Sequence, residues 1–261
     1  MKKKALLLLI ACLSQFIPAY AKHKRLSKKV EQHLHSAIPA FKAFEAACKK
    51  DGGLLWGAKI NGPMLIVDHM DRSVASNMAD KHGVLKPCSG YFGGVLPANL
   101  PISNTVVEWQ GIRWAMVVAR FLPKEIKAKM KLMVHESFHR IQRDLNLQPS
   151  GRQSDHLDTM AGRFWLRLEL IALTKALLNH QEARVEAIAD ALSFRSARYR
   201  LFKEASASEQ WLEILEGLPE YTGMRLAGYK PYECAEIIHQ KSAKMNSFVR
   251  SFAYLTGPAY G

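Results

Sequence analysis

Acidic residues are scarce in this chain: 23 Asp and Glu stand against 37 Lys and Arg in 261 residues, a formal net charge of +14. A field of that sign favours anionic partners such as nucleic acid, lipid headgroups or an acidic polymer, although lysines and arginines spread over a solvated surface give the same count. Cysteine is also sparse. The four cysteines, at 12, 48, 88 and 234, include no C-x-x-C pair, which argues against cysteine-based zinc binding or thiol redox chemistry. No apolar run reaches the ~18 residues of a membrane-spanning helix, so a multi-pass membrane protein is excluded. Internal repeats and low-complexity tracts are missing as well. What remains is a globular composition, 48% hydrophobic, 23% charged and 9% aromatic. It is enough for one large domain or two small ones and excludes wholesale disorder.

The first 21 residues read as a signal peptide. Lys2, Lys3 and Lys4 form a basic start, Ala5 to Leu13 a short apolar run, and Ala19-Tyr20-Ala21 an A-x-A cleavage site. The expected location is the periplasm or the exterior. A rival reading takes Leu9-Ile10-Ala11-Cys12 as a lipobox, which would place a lipid on Cys12 and give the protein its one route to a membrane. The basic stretch 22–29 reads as an arm. Cys48, Cys88 and Cys234 are left after cleavage, an odd number that leaves at least one thiol unpaired within the chain.

Residues 22–120 read as an N-terminal helix and β-sheet region. A helix is expected over 26–50, interrupted at Pro39 and ended by Asp51-Gly52-Gly53. Strands are expected at Met64–Val67, Ser73–Ser76, Thr105–Trp109 and Ile112–Val118, the last two joined by Gln110-Gly111. Residues 121–261 read as helical, in segments of about 123–147, 155–179, 181–203, 207–226 and 231–252, and the end at Ala259-Tyr260-Gly261 reads either as a truncation or as a tail packed as a loop. Strands followed by helices give an α+β fold, an antiparallel or mixed sheet and then a mostly helical region, and 22–261 can form one domain.

His135-Glu136-Ser137-Phe138-His139 is an H-E-x-x-H motif. Two histidines at i and i+4 of a helix project to the same side, close enough for both imidazoles to reach one Zn²⁺ at ~2.0–2.1 Å. Glu136 is offset around the helix, where it can serve as a general base. Val134, Phe138, Ile141 and Leu145 form an apolar stripe beside the pair. The alternative is a solvated helix with a Glu136–Arg140 pair. The preceding strand pair offers an edge that could hold an extended peptide.

Downstream, Glu216-Gly217-Leu218-Pro219-Glu220-Tyr221 reads E-G-x-x-E-Y. With the H-E-x-x-H motif it resembles the gluzincins, zinc metallopeptidases of the thermolysin and aminopeptidase N type. The resemblance implies a zincin-like helical region holding one Zn²⁺, with His135, His139 and Glu216 as ligands and Glu136 as base. It departs from the family at Pro219 and in a much longer gap between the motifs. Glu169, in the apolar run Trp165–Ile171, competes for the third ligand position. Otherwise that carboxylate needs an arginine such as Arg163 or Arg167. Glu220 is a candidate acceptor for a ligand imidazole, or an exposed acid. Tyr221 leads the candidates for a donor to the reaction's oxyanion, ahead of Tyr229 and His156. Trp56 to Leu65, His156 to Thr159 and Ser251 to Gly261 resemble a group of exported bacterial proteins, a likeness that carries no activity.

The expected function is an exported zinc metallopeptidase that cleaves peptide bonds with zinc-activated water. Its partner would be a peptide or protein substrate. The alternative is a non-catalytic exported binding protein that uses a basic surface on the same scaffold. Arg184, Arg195, Arg198, Arg200 and Tyr199 form a basic helical region without a nucleic-acid-binding signature, read as a solvated face rather than a DNA or RNA site. The sequence sets no oligomeric state.

Overall fold

A computed structural model describes residues 26–261. The signal peptide, the Cys12 lipobox and residues 22–25 of the basic arm fall outside these residues, and Lys28 and Lys29, expected in the arm, begin the first helix. Among the described residues, no helix is long and apolar enough to cross a membrane.

The chain is α+β. Six strands, β1 (Met64–Val67), β2 (Ser73–Ser76), β3 (Lys86–Cys88), β4 (Tyr91–Val95), β5 (Thr105–Trp109) and β6 (Ile112–Val118), form a mixed sheet in the order β3-β4-β2-β1-β6-β5. Only β1 and β6 pair in parallel. Both are almost wholly apolar, as central strands covered on two faces must be. Along β1 the pleat sends Met64 and Ile66 to one core, and Leu65 and Val67 to another on the opposite face. Gln110 and Gly111 take φ of 55° and 66°, the left-handed pair that a tight β5–β6 hairpin requires. β5 is an edge strand.

Helix α1 (Lys28–Asp51) and helix α2 (Ile126–Gln142) cover one face of the sheet. The Ser27 side chain caps α1 by accepting from the Val30 N–H. The expected interruption at Pro39 does not occur. Pro39 lies on the exposed face, where its missing hydrogen bond leaves a carbonyl to water, while Leu34, Ala37, Phe41 and Phe44 hold both halves to the sheet. Strand β3 and the regular pairing of glycine-rich β4 went unread in the sequence.

The C-terminal helices are α3 (Met160–Leu178), α4 (Gln181–Leu201), α5 (Ala205–Leu212), α6 (Leu218–Leu226), α7 (Pro231–Lys244) and α8 (Ala253–Tyr260). A separate core, including Leu166, Leu170, Leu212, Ile238, Phe248 and Phe252, joins all of them but α6, whose Leu218 and Leu226 pack on the core between the sheet, α1 and α2. Four expectations need correction. The helix expected over 231–252 ends at Lys244. Helix α2 ends at Gln142 rather than near 147. The helix expected over 207–226 contains a π turn, Glu213–Gly217, between α5 and α6. The tail expected as a loop is α8.

Arg195 and Arg198 are also not a solvated face. Arg198, Glu169 and Glu209 are completely buried. Arg195 donates to Glu169 at 2.7 Å and to both oxygens of Glu213 at 3.0 and 2.5 Å. Arg198 bridges Glu169 and Glu209, each at 2.6 Å. Burial lowers the pKa of both guanidiniums, but the carboxylates outweigh it and the net shift is upward. The network locks α3, α4, α5 and the start of the π turn together. Helix α8 then closes on that turn, because Gly217 and Gly257 face each other without side chains. A Cβ on Gly257 would sit 2.4 Å from the Gly217 Cα. Gly257→Ala is therefore expected to cost about 1–3 kcal/mol in urea unfolding. An unchanged unfolding free energy would show that the helices do not meet this closely.

Candidate metal centre

Helix α2 supplies the first half of the centre. Its apolar side, Val134, Phe138 and Ile141, enters the core under the sheet, which turns His135 and His139 toward α6. Ser137 and Arg140 pin the helix from the opposite side by donating to the Ile60 carbonyl at 2.6 and 3.2 Å. Arg140 is thus not paired with Glu136, and the solvated-helix alternative fails.

The π turn and α6 supply the second half. Glu216 and Glu220 are one helical turn apart and both reach His135. Its Nε2 lies 3.3 Å from Glu216 Oε2 and its Nδ1 lies 3.1 Å from Glu220 Oε2. His139 Nε2 is 3.6 Å from the same Glu216 oxygen and 3.1 Å from His135 Nε2. One donor atom from each of His135, His139 and Glu216 falls within 4.8 Å of the others, a set able to hold a metal ion. Glu169, by contrast, is held by Arg195, Arg198 and Tyr260 and is not part of this set. Its partners are not Arg163 or Arg167.

The outer nitrogens decide which atoms face the centre. Gln142 is buried, and its amide N–H₂ donates to the Ile214 and Leu215 carbonyls at 2.9 and 3.3 Å. These carbonyls belong to the π turn, where the wider winding alters the helical hydrogen-bond ladder. The Gln142 oxygen is then left to accept from His139 Nδ1, 2.7 Å away. Likewise the Glu220 carboxylate accepts from His135 Nδ1, and Lys131 pairs with its other oxygen. With both Nδ1 atoms bound as donors, both Nε2 atoms are directed at one another and at Glu216, as in imidazoles that ligate a metal.

Burial and charge shape the titration of these groups. Burial disfavours the charged form of His135, but the hydrogen bonds to Glu216 and Glu220 prevail and lift its pKa to about 9. Burial would raise Glu216, yet hydrogen bonds with His135, His139 and Tyr254 hold it far below the usual carboxylate range. Glu220 is held down at about 2 by His135 and Lys131 against a similar burial cost. Among the three carboxylates Glu136 alone moves upward, because burial outweighs the two histidines.

Glu136 is buried, and its Oε2 has no hydrogen-bond partner. It lines the same cavity, about 320 Å³, as His135, His139, Glu216 and Glu220. An unpartnered buried carboxylate oxygen beside convergent imidazole and carboxylate donors fits a divalent cation and a water. The cavity also holds a residue that motif reasoning missed. Tyr254, within the quoted segment Ser251 to Gly261, donates to Glu216 Oε2 at 2.6 Å, and its ring stacks on His135 at 5.7 Å between centroids. No sequence spacing marks it, because α8 reaches the site through the Gly217–Gly257 contact. Tyr221 does not line the cavity; it packs edge-on against Trp56. Tyr229 lies under the Lys127 ammonium and His156 is bound to Glu209. The glycine that brings α6 against α2 is Gly223, where a Cβ would sit 2.6 Å from the Lys131 carbonyl oxygen. Gly217 instead lies against Gly257 of α8.

Compared with protein-family models, curated proteins and solved structures, the chain finds no match in any of the three.

Two expectations follow from the geometry. Glu216→Ala should abolish tight zinc binding in a chelating-dye competition, whereas Glu169→Ala should keep zinc and lose about 1–3 kcal/mol of stability, because Arg195 and Arg198 lose a shared acceptor and keep only Glu213 and Glu209. The reverse pattern would make Glu169 the ligand. Gln142→Leu should weaken zinc binding about 10–100-fold, since it frees the His139 ring and strips the π turn of its donor. Wild-type affinity in that variant would show that the amide does not orient the ligand.

Proposed function

We propose that the protein is a zinc-dependent metallopeptidase of the gluzincin type, exported by its N-terminal segment. The observation that carries the reading is the convergence of two orientation-fixed Nε2 atoms and Glu216 on a cavity that also contains the unpartnered oxygen of Glu136. His135, His139 and Glu216 would hold one Zn²⁺. When bound, the ion would supply Lewis acidity, polarising the scissile carbonyl and acidifying water.

The remaining steps belong to the chain. Glu136 accepts the proton of the attacking water and returns it to the leaving nitrogen. Burial raises its proton affinity and so brings it closer to the range a base needs at neutral pH. The Tyr254 hydroxyl takes the donor role expected of Tyr221. It lies in the cavity next to a ligand, where it can turn from Glu216 to a developing oxyanion. Lys131 and Glu220 hold the His135 ring, and Gln142 holds the His139 ring. The edge strand β5 begins at Thr105, directly after the cavity residue Asn104. Its unpaired edge suits an extended peptide bound by backbone hydrogen bonds, which supports a peptide or protein as substrate.

Glu136→Gln should retain zinc and lose at least ~10²-fold in hydrolysis of an unstructured protein such as casein. Tyr254→Phe should lower kcat by about 10²–10³-fold. Loss of zinc in the Gln variant would make Glu136 a ligand. Full turnover without Glu136 would remove it from the chemistry.

A further inference from the structure

We infer that the substrate carries a carboxylate beside the scissile bond, received by Lys241 of α7 and Asn104 at the head of β5. The inference deepens the peptidase reading and rests on it.

Both residues line the same cavity as the metal ligands, and neither has a task in the centre. Of the two lysines in the cavity wall, Lys131 is paired with Glu220. Lys241 has no carboxylate partner among the described residues, and its neighbours disfavour its charge. Lys241 is exposed as a whole; desolvation of its ammonium where it meets the cavity and the nearby Lys131 ammonium lower its pKa, and Glu220 opposes them. A cation in that setting gains from an incoming anion. Asn104 is oriented by its side-chain oxygen, which accepts from the Val118 N–H at 2.8 Å. Its amide N–H₂ is then left as a donor without a protein acceptor among the described residues.

Charge points the same way. The cavity has three carboxylates, Glu136, Glu216 and Glu220, against the ammonium groups of Lys131 and Lys241. A bound dication would therefore leave one positive charge to be balanced, and a singly anionic substrate group balances it. Position matters as well. Asn104 stands where an extended peptide would begin to pair with β5, so the carboxylate would lie near the reacting bond. The group could be a peptide's C-terminal carboxylate or the side chain of Asp or Glu.

The test uses the full-length protein with Glu136→Gln, loaded with zinc, so that binding is read without turnover. Three blocked peptides are titrated by calorimetry: one with a free C-terminal carboxylate, its C-terminal amide, and the amide with Asp in place of Asn. One acidic probe should bind about tenfold tighter than the neutral one, and its identity names the source of the carboxylate. Adding Lys241→Ala should remove the preference while zinc content and affinity for the neutral peptide stay within about twofold. Adding Lys241→Glu should reverse it. Equal binding of acidic and neutral probes, or a preference that survives Lys241→Ala, overturns the inference alone. A protein that takes up no zinc overturns the peptidase reading and this inference together.

Discussion

The centre depends on how the π turn at Glu213–Gly217 is held in place. A π turn carries a wider, less favourable hydrogen-bond ladder than an α-helix and persists where its surroundings impose it. Here its first three residues are gripped. Arg195 binds both oxygens of Glu213 while also paired with buried Glu169, and Thr256 donates to Glu213 at 2.6 Å. Gln142 takes the carbonyls of Ile214 and Leu215. The ion network that the chain buries in its helical half is thereby what aims Glu216 at the histidines of α2. The same carboxylates and guanidiniums that are costly to bury thus support the turn that carries Glu216.

The two halves of the molecule contribute different things. The sheet and α1 give α2 a rigid base through Phe138, Ile141 and the Ile60 carbonyl. The C-terminal helices bring Glu216, Glu220, Tyr254 and Lys241 to the other side of the cavity. Gln142 joins the halves, since one amide orients a histidine on α2 and caps the π turn opposite. Glycine sets the spacing on both sides, Gly223 against α2 and Gly217 against Gly257.

Much of this was legible in the sequence. Four strands were read at their observed limits because β-branched runs and the Gln110-Gly111 turn are local signals. His135, His139 and Glu216 were read from two short motifs, and the structure brings them together. The rest depends on contacts that leave no local trace. The π turn keeps a helical sequence pattern, so nothing in residues 207–226 announces it. Glu169 looked like a rival ligand because its partners, Arg195 and Arg198, lie a helix away rather than on its own. Tyr254 reaches the cavity only through the packing of α8, and Tyr221, adjacent to the motif, turns away toward Trp56. Pro39 was read as a break because sequence alone does not show that it faces solvent.

The most direct test of this account is X-ray absorption spectroscopy at the zinc edge on protein loaded with one equivalent of Zn²⁺. The account predicts two imidazole nitrogens at ~2.0–2.1 Å, carboxylate and water oxygens at ~2.0–2.2 Å, and no sulfur. A sulfur shell at ~2.3 Å, or a spectrum without two imidazoles, would place the metal elsewhere and contradict it.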